Sequence, residues 1–227
     1  VPSNRRSSER SQQQRTRILD AAQHCFIKFG FHAAGMASIA ARAEMSPGLI
    51  YRYFESKSAI ILAIIERQLV DKEASLASLK SGPDLSQRIC DLFRAWQRGD
   101  DIVMNAALFL EMSAEATRDP QIAKALARAD RTGLRLFQNW VEQRASAPDS
   151  AQAERDFSER LLILQCFIEG LAIRAVRDPD CDAQFVATAV QRLVRAFLHA
   201  AGAADTSVGR SHGVAIDLTG TNRSLIL

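Results

Sequence analysis

Between Ser46 and Lys57 the chain reads Ser-Pro-Gly-Leu-Ile-Tyr-Arg-Tyr-Phe-Glu-Ser-Lys. The polar groups here are hydrogen-bond donors at helical intervals, not a nucleophile set beside a base. Ser46 suits a helix N-cap, since its hydroxyl can accept from a backbone N–H two or three residues on. Pro47 suits the first helical position, where its missing N–H would have no partner anyway. A helix therefore starts at Pro47, with Ser46, Gly48, Leu49 and Arg52 at its N-terminal end. Hydroxyl and guanidinium groups so placed can bond to base edges or phosphates, Leu49 can meet a thymine methyl, and Gly48 lets backbone come close. Tyr51, Tyr53 and Lys57 add donors where the flanking phosphates of a duplex would lie. Either tyrosine alone could equally be a core aromatic with its hydroxyl at the surface.

Such donors read DNA only when other elements fix their angle. Met36, Ile39, Ala40 and Ala43 mark a short helix near 36–43, Glu44-Met45-Ser46 is a three-residue turn, and Ile50, Tyr51 and Phe54 continue the buried face of a second helix near 46–53. This helix-turn-helix is too short to bury its own core. It must lean on a first helix, about 13–29, carrying Ile18, Leu19, Ala22, Cys25, Phe26 and Phe29 and stopped by Gly30. It must also lean on a long fourth helix, capped by Ser56 and ending before Gly82-Pro83. Five further helices follow at about 84–98, 101–117, 120–146, 152–177 and 181–201, divided by Gly, Pro and Asp. Period-two alternation is nearly absent, so the expected fold is all-α, an N-terminal three-helix domain joined to a larger helical domain. The expected organisation is a flexible basic arm over 1–12, a DNA-binding domain over 13–57, a helical ligand-binding and dimerisation domain over 58–202 and a flexible tail over 203–227.

Charge follows the same division. Of 227 residues with net charge +3, residues 1–57 hold nine Lys/Arg against four Asp/Glu, leaving 20 against 22 for the remainder. A basic end on a neutral body suggests that one segment meets a polyanion.

The residues now quoted carry a family resemblance. Ile18-Leu19-Asp20-Ala21-Ala22, Phe29-Gly30-Phe31, Ile39-Ala40 and Ile50-Tyr51-Arg52-Tyr53-Phe54-Glu55-Ser56-Lys57 resemble the DNA-binding domain of the TetR family of bacterial repressors, over about residues 15–65. The resemblance implies phosphate contacts from Tyr51, Tyr53, Lys57 and Thr16, a pseudo-palindromic DNA operator bound by a homodimer, and a small-molecule inducer held by the C-terminal domain. The chain departs from the pattern in places. Ala34 and Gly35 stand where two Thr or Ser residues are usual, leaving Gly35 as a weaker cap. Glu44 occupies a turn position where Gly is common, at a cost of roughly 1 kcal/mol if the backbone there is left-handed. Pro47 and Leu49 replace the usual Lys and Thr.

In the larger domain, Trp96, Phe109, Met112, Phe137 and Trp140 could line a ligand pocket, with Asn105, Glu111, Gln165 and Glu169 as the polar residues interrupting apolar stretches. The same aromatic set also reads as plain core. With Glu111 or Glu169 as the pocket charge, the expected inducer is apolar and cationic. On the last two helices Leu161, Leu164, Ile168 and Leu171, with Val186, Val190, Leu193 and Phe197, are expected at a dimer interface, because both helices are apolar on more faces than one core needs. No cofactor or metal is expected, since Cys25, Cys90, Cys166 and Cys181 form no C-x-x-C pair and the four histidines lie in separate elements. No nucleophile or metalloprotease motif appears, so an enzyme is not expected. No apolar run is long enough to span a bilayer, and a cytoplasmic location is expected. The competing reading is a helical protein-interaction or ligand-binding module whose helix-turn-helix serves only packing.

Overall fold

In the computed structural model, residues 2–80, 82–100, 105–143 and 151–200 are described. Their helices are α1 (Pro2–Ala33), α2 (Met36–Arg42), α3 (Pro47–Tyr51), α4 (Lys57–Ser78), α5 (Gly82–Arg98), α6 (Ala106–Ala116), α7 (Pro120–Glu142), α8 (Ala151–Arg177) and α9 (Ala183–Ala200). The protein is all-α. Helix α1 begins at Pro2, well before the expected 13, so residues 2–12, expected as a flexible arm, continue it. Apolar periodicity is silent there because the stretch is Ser, Arg and Gln, yet Arg and Gln are good helix formers and Pro is tolerated in a first turn. The expected tail over 203–227 lies outside the described residues.

Two cores result, and they do not divide at residue 57. The first joins Ile18, Phe26 and Phe31 of α1, Ile39, Ile50 and Phe54, and Ile60, Ile61, Ile64 and Ile65 of α4, and it also takes Leu108 and Met112 from α6 and Ile122 from α7. The second is built from Ile89, Phe93 and Trp96 of α5, Trp140 and Val141 of α7, and the inner stripes of α8 and α9. Each large apolar side chain so buried contributes about 1.5–3 kcal/mol. Helices α6 and α7 thus tie the helix-turn-helix to the rest of the molecule.

Candidate nucleic-acid interface

Helix α3 is only five residues long, and its start is fixed chemically. Ser46 is extended (φ −72°, ψ 147°), its Oγ accepts from the Leu49 N–H at 3.3 Å, and Pro47 follows at the first helical position. Ile50 is fully buried and anchors the helix from beneath. Ser46, Pro47, Gly48, Tyr51 and Arg52 are all exposed, Leu49 is half-buried, and together they form one continuous outer face. Tyr51, expected on the buried side as well as near phosphate, is 55% exposed, whereas Tyr53 packs against the first core. The helical phase separates the two tyrosines: two residues on a 3.6-residue turn are more than half a turn apart.

The turn before α3 has the expected strain. Glu44 takes φ 51° without being Gly, and its carboxylate meets the Arg17 guanidinium at 2.6 Å. Gly35 caps α2 with no side-chain bond, and the Ser38 hydroxyl donates back to the Gly35 carbonyl at 2.7 Å. Thr16 is exposed on α1 beside Arg17, in an open groove that His24, Arg42 and Glu44 also line.

Lys57 is placed otherwise than as a bare phosphate contact. Its Nζ donates to the Phe31 carbonyl at 2.8 Å and the His32 carbonyl at 3.3 Å, and it lies 4.6 Å from the centre of the Phe31 ring. These carbonyls are available because α1 ends at Ala33 and its last carbonyls have no helical N–H to accept from; just before them the helix is broken at Gly30, whose φ 75° and ψ 161° are accessible essentially to glycine alone. The same break strips the Phe31 N–H of its helical acceptor, and the Glu111 carboxylate of α6 takes it at 2.7 Å. Glu115, one turn further on α6 and itself buried, faces His32 at 3.5 Å. The α6–α7 corner reaches α4 as well. Asp119 caps α7 through the Gln121 and Ile122 N–H groups and accepts from the Ser58 hydroxyl, which together hold its carboxyl below the ordinary range, the Gln121 bond foremost. Helices α1, α4 and α6 are therefore joined by hydrogen bonds from three sides. Glu111, read from the sequence as a ligand charge, belongs to this joint. Spacing gave no hint of it, because Glu111 and Phe31 are far apart in the chain.

Other expected ligand residues also serve the fold. Asn105 is the α6 N-cap, accepting from the Leu108 N–H at 3.1 Å while its amide donates to the Asp100 carbonyl at 3.2 Å. Met112 is buried in the first core. Trp96 and Trp140 are buried in the second, and the Trp140 indole donates to the Leu79 carbonyl at 3.1 Å. Phe137 packs between Trp140 and Phe197 at 5.5 and 5.8 Å. Phe109, Phe137, Gln165 and Glu169 are half-buried, and Gln165 donates to Glu169 at 2.8 Å.

The expected interface residues are corrected in the same way. Leu161, Leu164, Leu171, Val186, Val190 and Phe197 are buried within a single chain, and Ile168 and Leu193 pack against the same core. Intramolecular packing against α5 takes that stripe first. Among the described residues, apolar side chains left exposed on these helices include Leu162, Ile163, Cys166 and Val176 on α8 and Phe185 on α9, the last 73% exposed.

Among the described residues no group of three or more His, Cys, Asp or Glu could hold a metal, and no helix is long and apolar enough to cross a membrane. The residues that sequence reasoning missed are His32 and Glu115 at the joint and, in the C-terminal domain, Lys72 and Gly133. Only Gly133 carried a signal, as an isolated glycine inside a helical pattern.

Comparison with known proteins locates these features. Residues 18–64 match the family model described as bacterial regulatory proteins, tetR family. The chain is 36% identical over 123 residues to the HTH-type transcriptional regulator UidR of Escherichia coli, a match covering 51% of this chain and 58% of UidR. It is 30% identical over 184 residues to the HTH-type transcriptional repressor KstR of Mycobacterium tuberculosis, covering 69% of this chain and 83% of KstR. Among solved structures, Salmonella enterica GusR superposes with a TM-score of 0.63 at 25% identity, over 82% of this chain and 96% of GusR. The Bacillus subtilis regulator FadR, solved with stearoyl-CoA, shares the fold at a TM-score of 0.59 and 18% identity, over 79% of this chain and 96% of FadR.

Proposed function

The chain belongs to the TetR family of bacterial regulatory proteins, and from that premise we propose that it is a cytoplasmic, homodimeric repressor that leaves a pseudo-palindromic operator when a small molecule binds its C-terminal domain. The observation that carries the DNA-binding part is the outer face of α3: Ser46, Gly48, Tyr51 and Arg52 stand exposed on a helix pinned from beneath by Ile50. A face so presented can enter a major groove with its N-terminal residues first. Arg52 is the base reader, Tyr51 and Thr16 are phosphate contacts, and Lys57 positions the end of α1 and reaches phosphate only with the N–H its two carbonyls leave over. Two copies related by a two-fold axis read inverted half-sites.

The subunits meet through the outer stripes of α8 and α9, where Leu162, Ile163, Cys166 and Phe185 are exposed among the described residues. A ligand-bearing relative of the same fold, FadR with stearoyl-CoA, supports control by a bound molecule. The protein acts by binding and needs no catalytic group or cofactor.

A duplex selected by the protein from a random pool tests this reading by fluorescence anisotropy at several salt concentrations. Wild type binds with an affinity that falls steeply with salt. Tyr51→Phe weakens all sequences alike, and Arg52→Ala relaxes sequence preference by about 1–3 kcal/mol at one position per half-site. Selection that returns no sequence, or binding indifferent to salt, sinks the proposal. Ile163→Asp yields a monomer by sedimentation velocity while retaining its helical circular dichroism.

A further inference from the structure

Ahead of the first core, α1 runs on as a helix with no apolar stripe. From Ser3 to Arg17 the sequence holds no aliphatic or aromatic side chain, and Ile18 is the first residue of α1 in the core. Residues 8–13 are all exposed. A helix that is polar all round draws little from packing, so it needs charge pairs along its length or a partner. Pairs are scarce here. Glu9 is the one acidic residue among five arginines, and Arg6 and Arg10 are like charges at i,i+4 spacing, which disfavours the helix in isolation.

Arg5, Arg6, Arg10, Arg15 and Arg17 against Glu9 give residues 2–17 a surplus of four positive charges, where the whole chain has +3. The root of this stretch is fastened to the helix-turn-helix on two sides. The Arg15 guanidinium lies 4.4 Å from the centre of the Phe54 ring, just past α3, and Arg17 holds Glu44, two residues before the Ser46 cap. Gln12, Gln13 and Thr16 line the open groove together with Arg42 of α2. Of the carboxylates in that groove, Glu44 is taken by Arg17 and Asp20 by Arg67, and Glu9 stands one turn after Arg5. Donors thus follow one another from the foot of α3 outward along α1. At 1.5 Å per residue, Arg10 stands about 12 Å and Arg5 about 20 Å beyond Ile18 along the helix axis.

We propose that residues 2–13 of α1 form a helical clamp on duplex DNA outside the half-site read by α3, with Arg5, Arg6 and Arg10 on flanking phosphates and Gln12 and Gln13 continuing the line of contacts from Thr16. The inference rests on the reading that α3 binds an operator, and it extends that contact along the same duplex. Charge and continuity with the α3 face select the partner. A membrane surface is also anionic, but a helix lying on it needs an apolar face opposite its basic one, and this helix has none. Phosphate oxygens match the guanidinium fork, and neutralising them relieves the repulsion that disfavours the helix. Contacts of this kind carry no base sequence; they lengthen the footprint and raise affinity for any flank.

Two duplexes with the same selected half-sites test this, one ending flush with them and one carrying about ten further base pairs, a helical turn, on each side. Both are titrated with the full chain by fluorescence anisotropy at several salt concentrations. Wild type binds the long duplex at least about tenfold tighter than the flush one, and its salt slope on the long duplex is steeper by about 0.9 for each flanking phosphate neutralised. The triple variant Arg5→Ala, Arg6→Ala, Arg10→Ala brings the long-to-flush ratio near one. Alanine is the better helix former, so that loss is not a loss of helix. The triple variant with Lys at the same positions keeps the steeper slope, because the phosphates answer to charge. Ser8→Pro leaves every charge in place but breaks the helix between Arg6 and Arg10, and it too lowers the ratio. Equal affinity of wild type for the two duplexes, or a triple alanine variant with the wild-type ratio, overturns the proposal. A wild-type ratio in Ser8→Pro overturns it as well, since the arginines would then act from a flexible arm. Each of these outcomes leaves the α3 reading standing, whereas failure to select any duplex removes both.

Discussion

Gly30 and Gly133 each lie beneath a charged side chain delivered by another helix, and the two places end differently. At Gly30 the Glu111 carboxylate comes within 3.4 Å of where a Cβ would be and accepts the Phe31 N–H at 2.7 Å. At Gly133 the Lys72 ammonium comes still closer to that position, but its side chain is exposed. The backbone differs as well: Gly30 has φ 75°, whereas Gly133 is ordinary helix. A charge whose hydrogen bond is made inside the folded chain holds the fold, and one open to solvent adds little to it.

Substitutions at these positions can break that contrast. The largest effect belongs to Gly30→Ala, which forces a Cβ into a conformation nearly reserved for glycine and crowds Glu111. We expect a loss of about 3 kcal/mol by urea denaturation, from strain of about 1–3 kcal/mol together with a weakened hydrogen bond. Glu111→Ala follows at about 1.5–3 kcal/mol and also lowers duplex affinity, since the end of α1 loses its anchor on α6. Stability of Gly30→Ala within 1 kcal/mol of wild type would remove the distinction. Gly133→Ala has the opposite sign, a gain of about 0.5–1 kcal/mol; a loss there would make Lys72 a structural group like Glu111.

The smallest effect sharpens the comparison at the same joint. Hydrogen bonds in the folded state hold the Asp119 carboxyl below its ordinary value. Its contribution to stability is therefore present above the unfolded pKa and disappears as pH falls through the folded one. The urea midpoints of wild type and Asp119→Ala should differ at pH 6 and draw together below about pH 4. A gap that stays constant across this range would show that the Asp119 charge contributes nothing.

How much of this was legible in the sequence depended on the range of the interaction. Ser46, Pro47 and Ser56 announced the starts of α3 and α4 because capping is decided within three residues. Glu44 announced its strain in the same way. The inner stripes of α8 and α9 were visible as apolar periodicity, but which stripe faces the chain's own core was not, since Leu161 and Leu162 differ only in what α5 does with them. Glu111 looked like a lone charge in an apolar helix because its partner is a backbone N–H freed by a glycine 81 positions away. Backbone groups have no sequence signature. Lys72 carries no sequence signature for the corresponding reason, that the groups nearest it come from α7 and α8.

The place of Lys57 has a consequence best stated in terms of helix poles. As the first residue of α4 it puts a cation at the positive end of that helix, where the peptide dipoles disfavour it. It stays there because the Phe31 and Ala33 end of α1 offers the opposite pole, through the carbonyls of Phe31 and His32. One ammonium thus belongs to the favourable end of one helix and the unfavourable end of another. Any movement that draws α1 away from α4 leaves that charge facing the wrong pole alone, so the two helices are driven to travel together when the body of the protein shifts.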